Sequence, residues 1–173
     1  MATATFIPID QYLRKTYRPD CDYVDGEVRE RNLGEQPHAF AQAIIGSMFH
    51  QHWKEWSIVA GISLRIRVSA TRIRVADICV MRRSDPPEPV VLVAPLICVE
   101  VLSSEDTLDS LRERVDDYLH MGTRHVWLID PFHHKAWTAT CSGYDEIGAG
   151  VFIIPDTQIR ISPTEIFSEL DER

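Results

Sequence analysis

No stretch of the 173-residue chain is long and apolar enough to cross a bilayer. The longest apolar run, Val90 to Val99, is broken by Pro95 and falls short of the ~20 residues a spanning helix needs. The opening residues, MATATFIPIDQYLRK, lack the charged-then-apolar layout of a secretory leader. The cysteines Cys21, Cys79, Cys98 and Cys141 are widely spaced and form no C-x-x-C pair. Cys79 and Cys98 sit in strand-like apolar segments and read as small buried hydrophobes. The expectation is a reduced, cytoplasmic protein without membrane contact. There is no repeat, no low-complexity tract and no G-x-x-x-x-G-K-[ST] loop, which excludes a P-loop enzyme. Basic charge is also short: 18 Lys and Arg stand against 26 Asp and Glu, a net charge of −8. A protein that coats nucleic acid through wholesale phosphate neutralisation is excluded, while a basic patch on an acidic body is not.

What is present is an ordinary globular composition, 45% apolar and 25% charged. The length fits one domain, residues 1–173, with residues 1–20 as a helical lead-in. Pro8 to Thr16 reads as a short helix. Tyr23, Val24 and Val28 flank Asp25-Gly26, a hairpin signal. Phe40, Ile44, Ile45, Met48 and Trp53 recur at helical spacing, predicting a helix over Pro37 to Trp56. Ile58 to Val68 alternates as a strand. In the next strand Ile73, Val75, Asp77, Cys79 and Met81 share one face, with Arg72 and Arg74 on the other. After the loop RRSDPPEP comes the apolar strand PLICVEVL. Thr107 to Met121 reads as a second long helix buried through Leu111, Val115 and Tyr118, capped by Gly122 and started by Ser103-Ser104 or Asp106. HVWLID, KAWTAT and VFIIP are further strands. In SPTEIFSEL, Ser162 and Glu165 predict a capping box, with Pro163 at the first helical position. The order predicts an α/β (α+β) fold: one mixed sheet flanked by helices.

Glu100 stands out. A carboxylate inside ICVEVL is costly unless it is paired or coordinated. Asp77 repeats the anomaly one strand earlier, in RVADICVM. Two acids on neighbouring strands make an oxygen cage for a hard divalent cation, which polarises a phosphoryl oxygen and lowers the pKa of water. The alternative for each acid is an ion pair with an arginine or a wet sheet end. Metal-dependent nucleases often carry a cation two residues after the second acid, and Leu102 occupies that place. Arg114, on the following helix beside Leu111 and Tyr118, can reach the sheet end instead, or can snorkel as a surface arginine. Arg65 and Arg67 on one strand with Arg72 and Arg74 on the next suggest a ladder for a phosphate backbone, or a solvated face. His50 and His52 do not face one way, and His133-His134 lies in a turn, so no zinc site can be assembled.

The run CVEVLSSEDTLDSLRERVDDYLHMGTRHVWLIDP resembles the Uma-two family of restriction endonucleases. DYVDGEVRE, the His38 helix start and RVADICV are similar to its remaining blocks. The resemblance implies the PD-(D/E)XK restriction-endonuclease-like core and Mg²⁺- or Mn²⁺-dependent cleavage of DNA. It further implies that Asp77 and Glu100 are the metal acids, that Glu27 is a further polar site position contributing a metal ligand directly or through water, that His38 is another, orienting a water or contacting substrate, and that Arg114 stands where the family has a catalytic lysine. Arginine stays charged, so it can stabilise a phosphate but cannot act as a base. Two readings follow: a metal-dependent endonuclease acting on DNA, with a homodimer by analogy, or a catalytically lapsed module that binds nucleic acid or a protein without turnover.

Overall fold

The computed structural model describes residues 6–31 and 35–172. A short helix, α1 (Ile9–Leu13), leads to the hairpin β1 (Asp22–Val24) and β2 (Glu27–Arg29), then to α2 (Gln36–Gln51). Two long strands follow, β3 (Ile58–Arg67) and β4 (Arg72–Arg82), and then β5 (Ile97–Val101). Helix α3 (Leu108–Met121) precedes β6 (His125–Asp130), β7 (Lys135–Thr140) and β8 (Gly143–Glu146). The last elements are a ribbon of β9 (Phe152–Ile153) with β10 (Arg160–Ile161), and helix α4 (Pro163–Asp171). No helix among the described residues is long and apolar enough to cross a membrane.

Local chemistry explains most boundaries. Asp25 and Gly26 both take positive φ, 51° and 100°, as the tight turn between β1 and β2 requires. The Thr107 side chain accepts from the Ser110 amide while the Ser110 hydroxyl accepts from the Thr107 amide, closing a capping box at α3. Gly122, at φ 110°, ends the helix in the left-handed conformation. Ser103 instead donates through its amide and hydroxyl to Asp106, forming the turn before the helix. The capping box expected at Ser162 does not form. The Glu165 amide is already held by the Ser162 carbonyl at 3.2 Å. Helix α2 stops at Gln51 rather than Trp56, and residues 52–57 turn back so that Trp56 packs edge-on against Phe49. Strand β8 escaped prediction because GYDE carries no buried alternation; it is a largely exposed strand paired with β7.

The main sheet has eight strands in the order β2-β1-β4-β5-β6-β7-β8, with β3 also paired to β4. It is mixed: β5 and β6 run parallel, linked through α3, and the other pairs are antiparallel. Period-two alternation divides its side chains between two apolar layers. Val99, Val101, Trp127 and Ile129 pack with Ile44, Ile45 and Phe49 of α2 and Ile166 of α4. Cys98, Val126 and Leu128 pack with Leu111, Val115 and Tyr118 of α3.

The site is positioned by a fork in this sheet. β3 runs along one edge of β4, pairing from Ile58↔Arg82 to Arg67↔Ile73. The other edge is shared. β1 pairs it at Arg72 and Ile73, and β5 pairs it at Ile78, Cys79 and Val80. Between them the branches separate, and buried backbone groups need other partners. Asp22 accepts from the Val75 amide and Asp77 accepts from the Val101 amide, each at 2.8 Å.

Candidate active site

The fork opens into a cleft of about 410 Å³. Its lining includes Asp77, Arg31, His38, Arg74 and Arg114. Asp77 lies at the branch point. Across the pair, Ser63 of β3 has a φ of 54°, and the alternation of β4 slips here. Ala76 packs in the α3 layer with Cys79, whereas Ile78 and Val80 pack in the α2 layer. The slip brings the Asp77 side chain within reach of β5, of α2 and of the segment after β2. Oδ2 accepts from the Val101 amide and lies 3.4 Å from His38 Nε2. Oδ1 accepts from Arg31 Nη2 at 2.9 Å.

Glu100 is fully buried, alternating with Cys98 into the α3 layer. Tyr118 donates its hydroxyl proton to Oε1 at 2.8 Å. Oε2 lies 3.1 Å from Arg114 Nε and 3.5 Å from Arg31 Nη2. Arg114 is anchored beyond by Asp106, 2.7 Å from its Nη2. Burial, reinforced by the adjacent Asp77 charge, pushes Glu100 up to about 7, against the pull of Arg114 and Arg31. Burial opposes Asp77's charge too, but Arg31 and the His38 hydrogen bond win and hold its carboxyl below the usual range. Burial works against a charged His38, and the Asp77 carboxylate outweighs it, leaving the imidazole more basic than usual. The two acids therefore titrate apart, as groups in one buried cluster do.

Asp77, Glu100, Arg114 and His38 are thus brought together. Glu27 is not: its carboxylate is paired instead with Arg29, 3.5 Å from its Nε. The arginine ladder is also divided. Residues directly opposed in a pair share a face, and Arg65 opposes Val75 while Arg67 opposes Ile73. Arg72 and Arg74 consequently project to the other side. Arg65 pairs with Asp20 and lies 4.6 Å from the Tyr12 ring centroid. Arg72 pairs with Asp25, Glu113 and Asp117, and buried Arg74 with Asp22, Glu113 and Asp117. The Arg67 side chain donates to the Ala70 carbonyl at 3.4 Å.

Asp77 Oδ1 and Glu100 Oε2 converge on one point, presently the Arg31 guanidinium. As hard oxygen donors they suit Mg²⁺ or Mn²⁺, which complete their shells with water and phosphate oxygens. Among the described residues no group of three or more His, Cys, Asp or Glu is arranged to hold a metal, so any such ion would rest on these two carboxylates.

The sequence pattern of the Uma2 family, described as "Putative restriction endonuclease", matches residues 9–145. The chain belongs to the Uma2 family. That span contains the fork, both acids, His38 and Arg114. The fold is similar to the crystal structure of "a putative nuclease belonging to DUF820" from Anabaena variabilis, with a TM-score of 0.84 and 21% identity over 95% of this chain and 99% of that one. No protein of curated function matches. In this Uma2 member, sequence reasoning missed Arg31 and Gln42, whose amide donates to the Asp77 carbonyl at 2.9 Å. Arg31 lies in a polar run with no periodicity to mark it. The signal available was indirect, since two buried acids demand a cation from somewhere.

Proposed function

We propose that this Uma2 protein is a Mg²⁺- or Mn²⁺-dependent endonuclease hydrolysing phosphodiester bonds in DNA, with residues 1–173 forming one restriction-endonuclease-like domain. The observation that carries the reading is the convergence of Asp77 and Glu100, from neighbouring strands, on one point of an arginine-lined cleft. These two carboxylates would hold the cation. When bound, a divalent ion supplies charge neutralisation at the scissile phosphate and acidifies water. Arg114 is the fixed positive group beside Glu100. It stabilises charge developing on the phosphate and never serves as a base. His38, made more basic by the Asp77 carboxylate beside it, orients a water or a substrate oxygen. By analogy with nucleases that cut both strands as dimers, two copies of the chain would work together as a homodimer.

The test is nicking of supercoiled DNA with Mn²⁺, Mg²⁺ or chelator, using the wild type and Glu100→Gln. Metal-dependent nicking is expected, falling at least about a hundredfold in the variant. Equal nicking by both proteins sinks the assignment of Glu100. A second reading, a module that has lost turnover, draws on the pairing of both acids with Arg31 and Arg114, which neutralises the cluster without a metal. Arg114→Lys separates the two. An active enzyme keeps or modestly gains activity, whereas a lapsed one rises from a null background.

A further inference from the structure

Arg31 lies between β2 and α2, with its side chain only 18% exposed. A single guanidinium nitrogen, Nη2, sits 2.9 Å from Asp77 Oδ1 and 3.5 Å from Glu100 Oε2. That nitrogen fills the point on which the two carboxylates converge. A divalent ion placed ~2.1 Å from the same oxygens would press against a fixed positive charge. Arg31 and the ion therefore exclude each other.

A displaced Arg31 needs another anion, because a guanidinium stranded in a partly buried site is strongly unfavourable. The less exposed acids around the cleft are already engaged, and Glu30 and Glu105, which also line it, are exposed, where a pair with a displaced guanidinium gains little. Asp22 holds Arg74, Asp106 holds Arg114, and Glu113 holds Arg29, Arg72 and Arg74. The anion a guanidinium binds best after a carboxylate is a phosphate, through two parallel hydrogen bonds. A nucleic-acid substrate brings that group to the cleft.

We propose that Arg31 is a displaceable counter-cation, which closes the metal position in the resting protein and passes to a substrate phosphate when a divalent ion enters. The inference rests on Asp77 and Glu100 being the metal ligands. Metal and phosphate then bind cooperatively, because each relieves the cost the other imposes, and the coupling is reciprocal.

The experiment is a Mn²⁺ titration followed by calorimetry, on the protein alone and with a short phosphorothioate DNA duplex that resists cleavage. Wild type, Arg31→Gln and Arg29→Gln are compared. Arg29 supplies the control because it lines the cleft and pairs with Glu27 and Glu113 rather than with Asp77 or Glu100. In the wild type, the duplex should tighten Mn²⁺ binding about tenfold. Arg31→Gln should bind Mn²⁺ alone about tenfold tighter than wild type and lose most of the gain from the duplex, while Arg29→Gln changes neither.

Three outcomes overturn the proposal and leave the metal site standing: Arg31→Gln binding no tighter than wild type, an undiminished duplex effect in it, or equal tightening in Arg29→Gln. No Mn²⁺ binding by any protein overturns the metal site as well. Melting in chelator reports whether Arg31→Gln is folded. If it is not, Arg31→Lys takes its place, since its ammonium ends one bond short of the point that Nη2 holds between the two acids. A smaller tightening is then expected, and unchanged affinity overturns the idea.

Discussion

A glutamate with no exposed surface, hydrogen-bonded by Tyr118 and flanked by Arg114, still favours its protonated form, because burial and Asp77 outweigh the cations. This has a stability consequence. In the unfolded chain a glutamate ionises near ~4.3, below the value Glu100 has in the fold. Between those two values the native state binds the extra proton, so stability is greatest below the unfolded value and declines as pH rises toward neutrality. Asp77 works oppositely: its contribution is present above the ordinary aspartate range and lost in stronger acid. His38, held more basic in the fold, loses its contribution on the alkaline side and so adds to the decline. In metal-free buffer the wild type should lose melting temperature from about pH 5 to about pH 7, and Glu100→Gln should lose less. Parallel curves for the two proteins would contradict the assignment. Both acids were legible in the sequence because a charge that interrupts an apolar strand is conspicuous. Glu27 was expected in the site by resemblance alone, and in the fold the two-residue reach of a short hairpin strand leaves it against Arg29.

The unit β5–α3–β6 carries one side of the site: Glu100 from the strand, Arg114 and Tyr118 from the helix. Its helical boundaries follow from sequence, since Gly122 and the buried stripe Leu111, Val115 and Tyr118 need only the 3.6-residue period to be recognised. The starting residue is subtler. SSEDT offers several capping side chains, and only the geometry selects Thr107, with Asp106 turned aside to serve Ser103 and Arg114. Thr107→Ala should cost ~1 kcal/mol, a fall of roughly 2–4 °C in melting temperature for a chain of this size. Asp106→Ala should cost more, because it strips Arg114 of a buried partner as well as opening the turn. A Thr107→Ala loss equal to that of Asp106→Ala would show that the box, rather than the ion pair, sets the position of the helix. The arginines of β3 and β4 illustrate the limit of strand periodicity. Alternation within a strand orders its own faces, but only the register between strands tells which faces coincide, and no single sequence carries that register.

At the scale of the molecule, the layers were legible and the fork was not. Apolar alternation in β4, β5 and β6 foretells a sheet covered on both faces, whereas the exchange of β1 for β5 along one edge of β4 depends on a slip at Asp77. Charge obeys the same division. The net charge of −8 gives no hint that arginines gather around one cleft, where acids from β1, the turn before α3 and α3 itself hold several of them. The two-layer arrangement makes a prediction about the thiols that involves no functional reading. Cys79 and Cys98 oppose each other across β4 and β5, wholly buried in the α3 layer, and burial raises both thiols far from ionisation. Cys21 is buried near α1, where burial and the neighbouring Asp20 also raise it, and Cys141 alone of the four is exposed. Thiolate is the reactive species, so a disulfide reagent should modify one cysteine rapidly in the native protein and all four after denaturation. Cys141→Ser should remove the fast phase. If it persists in that variant, either the sheet opens at β4 and β5 on the timescale of the reaction or the hairpin lifts from α1. Adding Cys21→Ser tells which, because only the second event disappears with it.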